Sequence, residues 1–194
     1  MKCKLLVLIL SMFISVAANS QIPKHHYSKS KKTNLSTPAN TARGYLEWYL
    51  NSRGRLNRIG FIDSCGKEKF YCVNFDEVDR YLLEFKKSGY VSDLYISKLR
   101  DYFEKIAWEL EKYPRKDVLI HGFEADFILN IGMEEGNFEN DLRHGKFECI
   151  RRLKDLSGRN LAIVLADIGT MHLKLIFTLS KYAGRWHIMS YQTF

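Results

Sequence analysis

Apolar positions along this chain follow three different patterns. An unbroken greasy run covers Leu5 to Val16, helical spacing governs residues 37 to 113, and alternation governs the C-terminal third. The first run follows Lys2 and Lys4 and ends among small residues, in MKCKLLVLILSMFISVAANS. Charge, a short apolar core and small residues are the parts of a secretory leader, and the core falls short of the roughly 20 apolar residues a spanning helix needs. Cleavage after Ala18 or after Ser20 fits the small-residue rule. Cys3 lies before the apolar run, whereas a lipoprotein cysteine would stand at the cleavage point. The chain is therefore expected to be exported, periplasmic or extracellular in a Gram-negative bacterium, with no stable membrane insertion once the leader is removed. Residues 1–20 are read as the leader and 21–36 as a disordered basic linker, too polar to offset chain entropy. Residues 37–194 are read as one domain.

The helical region resolves into three segments. Thr37 followed by Pro38 is a helix start, and Ala42, Tyr45, Trp48 and Tyr49 recur at helical spacing, with Leu46 and Leu50 beside them, to about Asn51. Residues 52–73 are Gly- and Arg-rich and read as loop. Asn74 with Glu77 resembles a capping box; Val78, Tyr81, Leu82 and Phe85 follow at i, i+3, i+4 and i+7, and Gly89 supplies the stop. Ser92 caps the third and longest segment. Its face is marked by Tyr95, Leu99, Tyr102, Ile106, Leu110 and Tyr113, widened by Ile96, Phe103 and Ala107, and Pro114 ends it.

Beyond Pro114 the period becomes two. Val118–Phe123 and Phe127–Ile131 read as short strands, a glycine-containing loop covers 132–145, and strands are expected over 146–156, 161–167, 171–181 and 186–191. Short glycine-bearing links between the last four imply antiparallel hairpins. Helices first and strands last give an α+β domain, three N-terminal helices laid on a mainly antiparallel sheet. Parity puts Leu173, Leu175, Phe177 and Leu179 inward and Lys174, Thr178, Ser180 and His172 outward; on the last strand Trp186 and Ile188 go in and His187 goes out. The outer face then combines Ala162, Val164, Ile176, Met189 and Tyr191 with Lys174 and Thr178, apolar enough to be covered by a partner, by a second copy or by the chain's own loop.

A net charge of +8 suggests nucleic acid until it is located. Six of the 30 lysines and arginines precede residue 33 and no acid precedes Glu47, so the body carries 24 basic against 22 acidic residues. A nearly neutral body argues against nucleic acid as partner. Arg53, Arg55 and Arg58, and again Arg151, Arg152 and Lys154, cluster locally and read as solvated charge. Leader removal leaves Cys65, Cys72 and Cys149. Cys65 and Cys72 flank a polar, Gly-containing stretch suited to a small looped hairpin, and export permits a bridge between them; three reduced thiols is the other reading. Without a CxxC or histidine spacing no metal site is expected, and adjacent His25 and His26 lie on the tether.

The order of elements resembles the nuclear-transport-factor-two-like, or cystatin-like, cone. LAIVL at 161–165, LKLIFTL at 173–179 and the ending GRWHI at 184–188 look like its last three strands. Within that superfamily the chain is similar to an exported bacterial domain-of-unknown-function family, number 3828, on the leader, YLEWYL at 45–50 and the acidic turn Glu124-Ala125-Asp126-Phe127. The resemblance implies a concave pocket between helices and sheet, and no particular chemistry or cofactor.

No nucleophile elbow, phosphate loop or spaced metal cluster accompanies these elements. His121 reads as an ordinary half-buried strand residue. Asp126, beside Phe127 and Ile128, is the one acid offered for acid–base work, its ordinary role being to cap its own turn. Tyr49, Tyr102 and Phe177 are the other candidates for a pocket lining. The expected function is that of an exported non-catalytic domain binding an unknown protein or small molecule, with a homodimer among the outcomes. The alternatives are an isomerase or hydrolase using the cone, and a periplasmic immunity protein or inhibitor of a cell-wall-attacking enzyme.

Overall fold

The computed structural model describes residues 37–116, 138–169 and 173–193, all within the unit Lys32–Phe194. The strand candidates at 118–123 and 127–131, with His121, Asp126 and His172, lie outside the described residues.

Capping chemistry sets the helix starts. Thr37 Oγ1 accepts the Asn40 N–H at 3.2 Å, and Pro38 opens α1 (Pro38–Leu56). Asn74 Oδ1 accepts the Glu77 N–H at 3.2 Å and starts α2 (Phe75–Ser88); Gly89, at φ 72°, ends it in the left-handed conformation that glycine takes without penalty. Ser92 Oγ accepts the Tyr95 N–H at 3.2 Å and starts α3 (Asp93–Lys112). Two features depart from expectation. The first helix continues past Asn51 through Gly54, because Ser52 and Leu56 still face the core. The segment 52–73 is also more than loop: it contains the antiparallel pair β1 (Ile62–Cys65) and β2 (Phe70–Val73). Cys65 and Cys72 are disulfide-bonded across it, with Cα atoms 5.8 Å apart, and Cys149 is a free thiol.

The short α4 (Phe138–His144) precedes a four-stranded antiparallel sheet of β3 (Lys146–Lys154), β4 (Asn160–Ile168), β5 (Leu173–Tyr182) and β6 (Arg185–Thr193), paired in that order. The domain is therefore α+β with an open sheet. The expected three helices become four among the described residues, and a hairpin separates the first from the second. At the β6 edge, Ser92 N–H donates to Ile188 O at 2.9 Å and Ile188 N–H to Tyr90 O at 2.8 Å, so the α2–α3 link extends the sheet there.

One sheet face is buried. Leu173, Leu175, Phe177 and Leu179 point inward, as do Trp186 and Ile188, in accord with parity. Ala162 and Val164 also point inward, contrary to the outer assignment, because register pairs them with Leu179 and Phe177 and paired residues share a face. Tyr191 is likewise inside. Thr178 pairs with Ser190 but Leu179 pairs with Ile188, so Met189 is the extra residue of a bulge and parity reverses beyond it. Of the proposed outer patch Ile176, Lys174 and Thr178 keep their place, Ile176 now beside Leu161, Ile163 and Leu165, all half-buried. α1 covers the inner face with Thr41, Ala42, Tyr45, Leu46, Tyr49 and Leu56, lying against β3, β4 and β6.

Candidate functional site

The space between helices and sheet is filled by rings. Tyr45 from α1 lies edge-on to Phe177 from β5, with centroids 6.2 Å apart, and to Tyr95 from α3 at 6.1 Å. Phe85 stacks on Tyr95 at 6.1 Å and meets Trp48 edge-on at 5.0 Å. Tyr191 stacks on Tyr95 at 6.3 Å and lies 5.8 Å from Phe177. The hydroxyls of Tyr45 and Tyr95 share a hydrogen bond of 2.8 Å inside this cluster. Burial pushes both phenols above their ordinary pKa, and for Tyr45 the neighbouring hydroxyls of Tyr95 and Tyr191 add to the effect. These groups stay neutral across the physiological range. They serve one another as donor and acceptor and are poor proton carriers.

The structure separates the candidates for a pocket lining. Tyr49, 2 % exposed, packs against Phe85, and Phe177 is wholly enclosed. Tyr102 sits half-buried on α3 with its ring on Phe103 at 5.8 Å, away from Phe177; burial and Glu109 raise its phenol. Asp126 is outside the described residues. The expected α3 face is rotated slightly: Phe103 is at its centre and Tyr113 is 55 % exposed. His187 lies on the outer side, its imidazole lowered by partial burial and by Arg185.

An open concavity of about 310 Å³ does exist, but below the disulfide-bonded hairpin. Cys65, Phe70 and Cys72 form one wall, Ala107, Leu110 and Glu111 from α3 the other. Its lining is apolar with one carboxylate. At the far end of the sheet Arg43 holds the α4 terminus, donating to the carbonyls of Leu142 at 3.2 Å and Gly145 at 2.7 Å while lying 4.4 Å over Phe147. Buried Asp141 packs against Gly169, where a Cβ would meet its carboxyl carbon at 2.6 Å. Both arrangements join α4 to its surroundings, a structural task. Among the described residues no group of three His, Cys, Asp or Glu is placed to hold a metal.

The reading of the chain missed the hydroxyl pair Tyr45–Tyr95. Its only signal is tyrosine in place of phenylalanine on two core-facing helical stripes. Compared with protein-family models, curated proteins and solved structures, the chain has no significant match.

Proposed function

We propose that this chain is an exported binding domain of the nuclear-transport-factor-two-like type, acting through its surface and carrying out no reaction in its interior. One observation supports the reading above others. The region where a cone would hold substrate is occupied by Tyr45, Tyr95, Tyr191, Phe85 and Phe177, whose only hydrogen-bonding groups are neutral hydroxyls. Acid–base catalysis needs a titratable group poised near ambient pH and reachable by substrate. The leader sequence MKCKLLVLILSMFISVAANS supports export. A second reading, capture of a small apolar ligand, rests on the cleft between the β1–β2 hairpin and α3.

Two measurements test this. The mass of the protein recovered from periplasm or medium should correspond to a chain beginning at Asn19 or Gln21; recovery of the intact chain from the cytoplasm removes the export claim. A fragment screen by crystal soaking should leave the interior empty of ligand. A fragment seated against the Tyr45 and Tyr95 hydroxyls would reverse the non-catalytic reading, and one seated against Phe70 and Leu110 would favour the second.

A further inference from the structure

The antiparallel order places two hairpin turns at the same end of the large sheet. β3 and β5 run parallel to each other, so the β3–β4 turn and the β5–β6 turn both lie beyond the row Leu153, Leu161, Ser180 and His187. Two strand spacings separate the turns, about 10 Å. Residues 150–160 and 180–186 then gather Arg151, Arg152, Lys154, Arg159, Lys181 and Arg185 against a single acid, Asp155. The nearby end of α2 adds no net charge, since Lys86 pairs with Asp93 and Lys87 with Glu84.

Both turns also present apolar side chains outward. Leu156 is fully exposed, Tyr182 is 76 % exposed, and Ile150 and Leu153 are half or more than a third exposed. The first turn is held rigid. Asp155 accepts the Ser157 N–H at 2.9 Å, the Ser157 hydroxyl at 2.7 Å, and the Arg159 N–H and Nε–H at 2.9 and 2.7 Å. A large apolar side chain fixed in water on an ordered turn costs solvation in the free protein, and such exposure usually marks a contact. Cations on an edge strand commonly guard against strand addition. That does not account for Leu156 and Arg159, which lie in a turn, or for Lys181 and Tyr182, which lie on the inner strand β5.

We propose that this two-pronged end docks on an anionic phospholipid surface, with Leu156 and Tyr182 entering the interface and the six cations resting at headgroup level. Exposed apolar tips ringed by Lys and Arg match an interface whose anionic headgroups lie over an apolar layer. Tyrosine, with one apolar and one wet end, suits that depth. The inference rests on the exported, surface-acting reading only for its biological setting; vesicle binding is measured without it.

The test uses residues 21–194, which keep the whole described core, after a cooperative melt has been confirmed. Co-sedimentation with phosphatidylcholine vesicles, with and without phosphatidylglycerol, reads binding. Binding is expected only with the anionic lipid and should weaken as salt rises. Arg152→Glu with Lys181→Glu should lower it by at least about tenfold, since each charge at such a surface is worth about fivefold. Lys146→Glu with Lys174→Glu makes the same change in net charge on the order of 25 Å away along the strands, beyond the screening length, and should leave binding near wild type. Leu156→Ser with Tyr182→Ser should weaken it while the charge is intact. Equal losses from both charge pairs would mean attraction by net charge alone, and no binding to either vesicle would end the proposal. An unchanged Leu156→Ser/Tyr182→Ser protein would remove the insertion step on which the proposal depends. A chain with Lys29, Lys31 and Lys32 changed to glutamine should bind as the parent; loss there would assign the contact to the linker instead.

Discussion

Tyr191 and Tyr182 lie on neighbouring strands and have opposite fates. Tyr191 closes a ring cluster around a shared hydroxyl pair, and Tyr182 projects into water at the end of the sheet. The contrast holds for the regions around them. Inside, every large side chain is fixed by several others and polar atoms find partners, so any change is felt as stability. At the hairpin end, side chains are held from behind by a hydrogen-bonded turn and touch little in front, so a change there should cost the fold little. The molecule thus separates a core on which folding depends from an ordered tip on which little else in the fold depends.

The sharpest way to break that contrast is to truncate one large apolar side chain on each side to alanine. Phe177→Ala removes a fully buried ring that meets Tyr45 and Tyr191 and should cost about 3–5 kcal/mol in urea denaturation. Leu156→Ala should change stability by less than about 0.5 kcal/mol. Comparable losses would mean that the tip belongs to the core after all. The next effect in size is the disulfide. Cys65→Ala with Cys72→Ala opens an 8-residue loop and should lower stability by about 2.5 kcal/mol in the chain-entropy account, read as a shift of the denaturation midpoint that reductant produces in the parent protein too.

How much of this was legible depended on whether local chemistry or pairing decided the outcome. Thr37, Asn74 and Ser92 announced three helix starts because a cap is made within one turn of its own residue. The inner set Leu175, Phe177 and Leu179 was legible because Lys174 and Thr178 alternate with it. β4 was not. In LAIVLA at 161–166 both alternate sets are apolar and Asp167 alone marks the outer one, so periodicity is a weak guide there and pairing with β5 turns Val164 inward. Tyr191 was misplaced because the bulge at Met189 adds one residue and nothing in IMSY marks it, neither glycine nor proline. The β1–β2 hairpin was hinted at by its cysteines and obscured by the arginines around it. The Tyr45–Tyr95 bond joins two helices far apart in sequence, and the twin turns meet only through the order of four strands; neither fact has a local signature.

The hydroxyl pair permits a finer test of the interior. Tyr95→Phe removes the hydroxyl that is hydrogen-bonded to Tyr45 inside the ring cluster and should cost about 1–2 kcal/mol. The pair also predicts an alkaline limit. Burial raises both phenols above the value near 10 they hold in the unfolded chain. Below about pH 10 both states are protonated and stability is fully present; above it the unfolded chain ionises first, so stability falls as pH rises toward the folded values. Phenolate absorbance from these two residues should therefore appear together with loss of near-ultraviolet circular dichroism. Their ionisation in a protein that is still folded would show that water reaches the cluster, and the separation between interior and surface would fail.

The smallest effect concerns how the exposed tip is held. Asp155 is the only acid among its six cations, and the hydrogen bonds from Ser157, followed by those from Arg159, lower its pKa to about 2. A depressed value means that the contribution of this group is present above the ordinary carboxylate pKa near 4 and is lost as pH falls through about 2. The turn should therefore keep its order at pH 4, where most exposed carboxylates are half protonated, and loosen only near pH 2. Amide exchange at Ser157 and Arg159 reads this directly, since both N–H groups donate to that carboxylate. Asp155→Ala should speed exchange at these two amides at every pH while leaving the global unfolding midpoint almost unchanged. If the midpoint moved with them, the turn would be part of the folding unit and not a separately held tip. If neither amide responded, Leu156 would owe its position to the strands alone, and the ordered presentation of that side chain would need another cause.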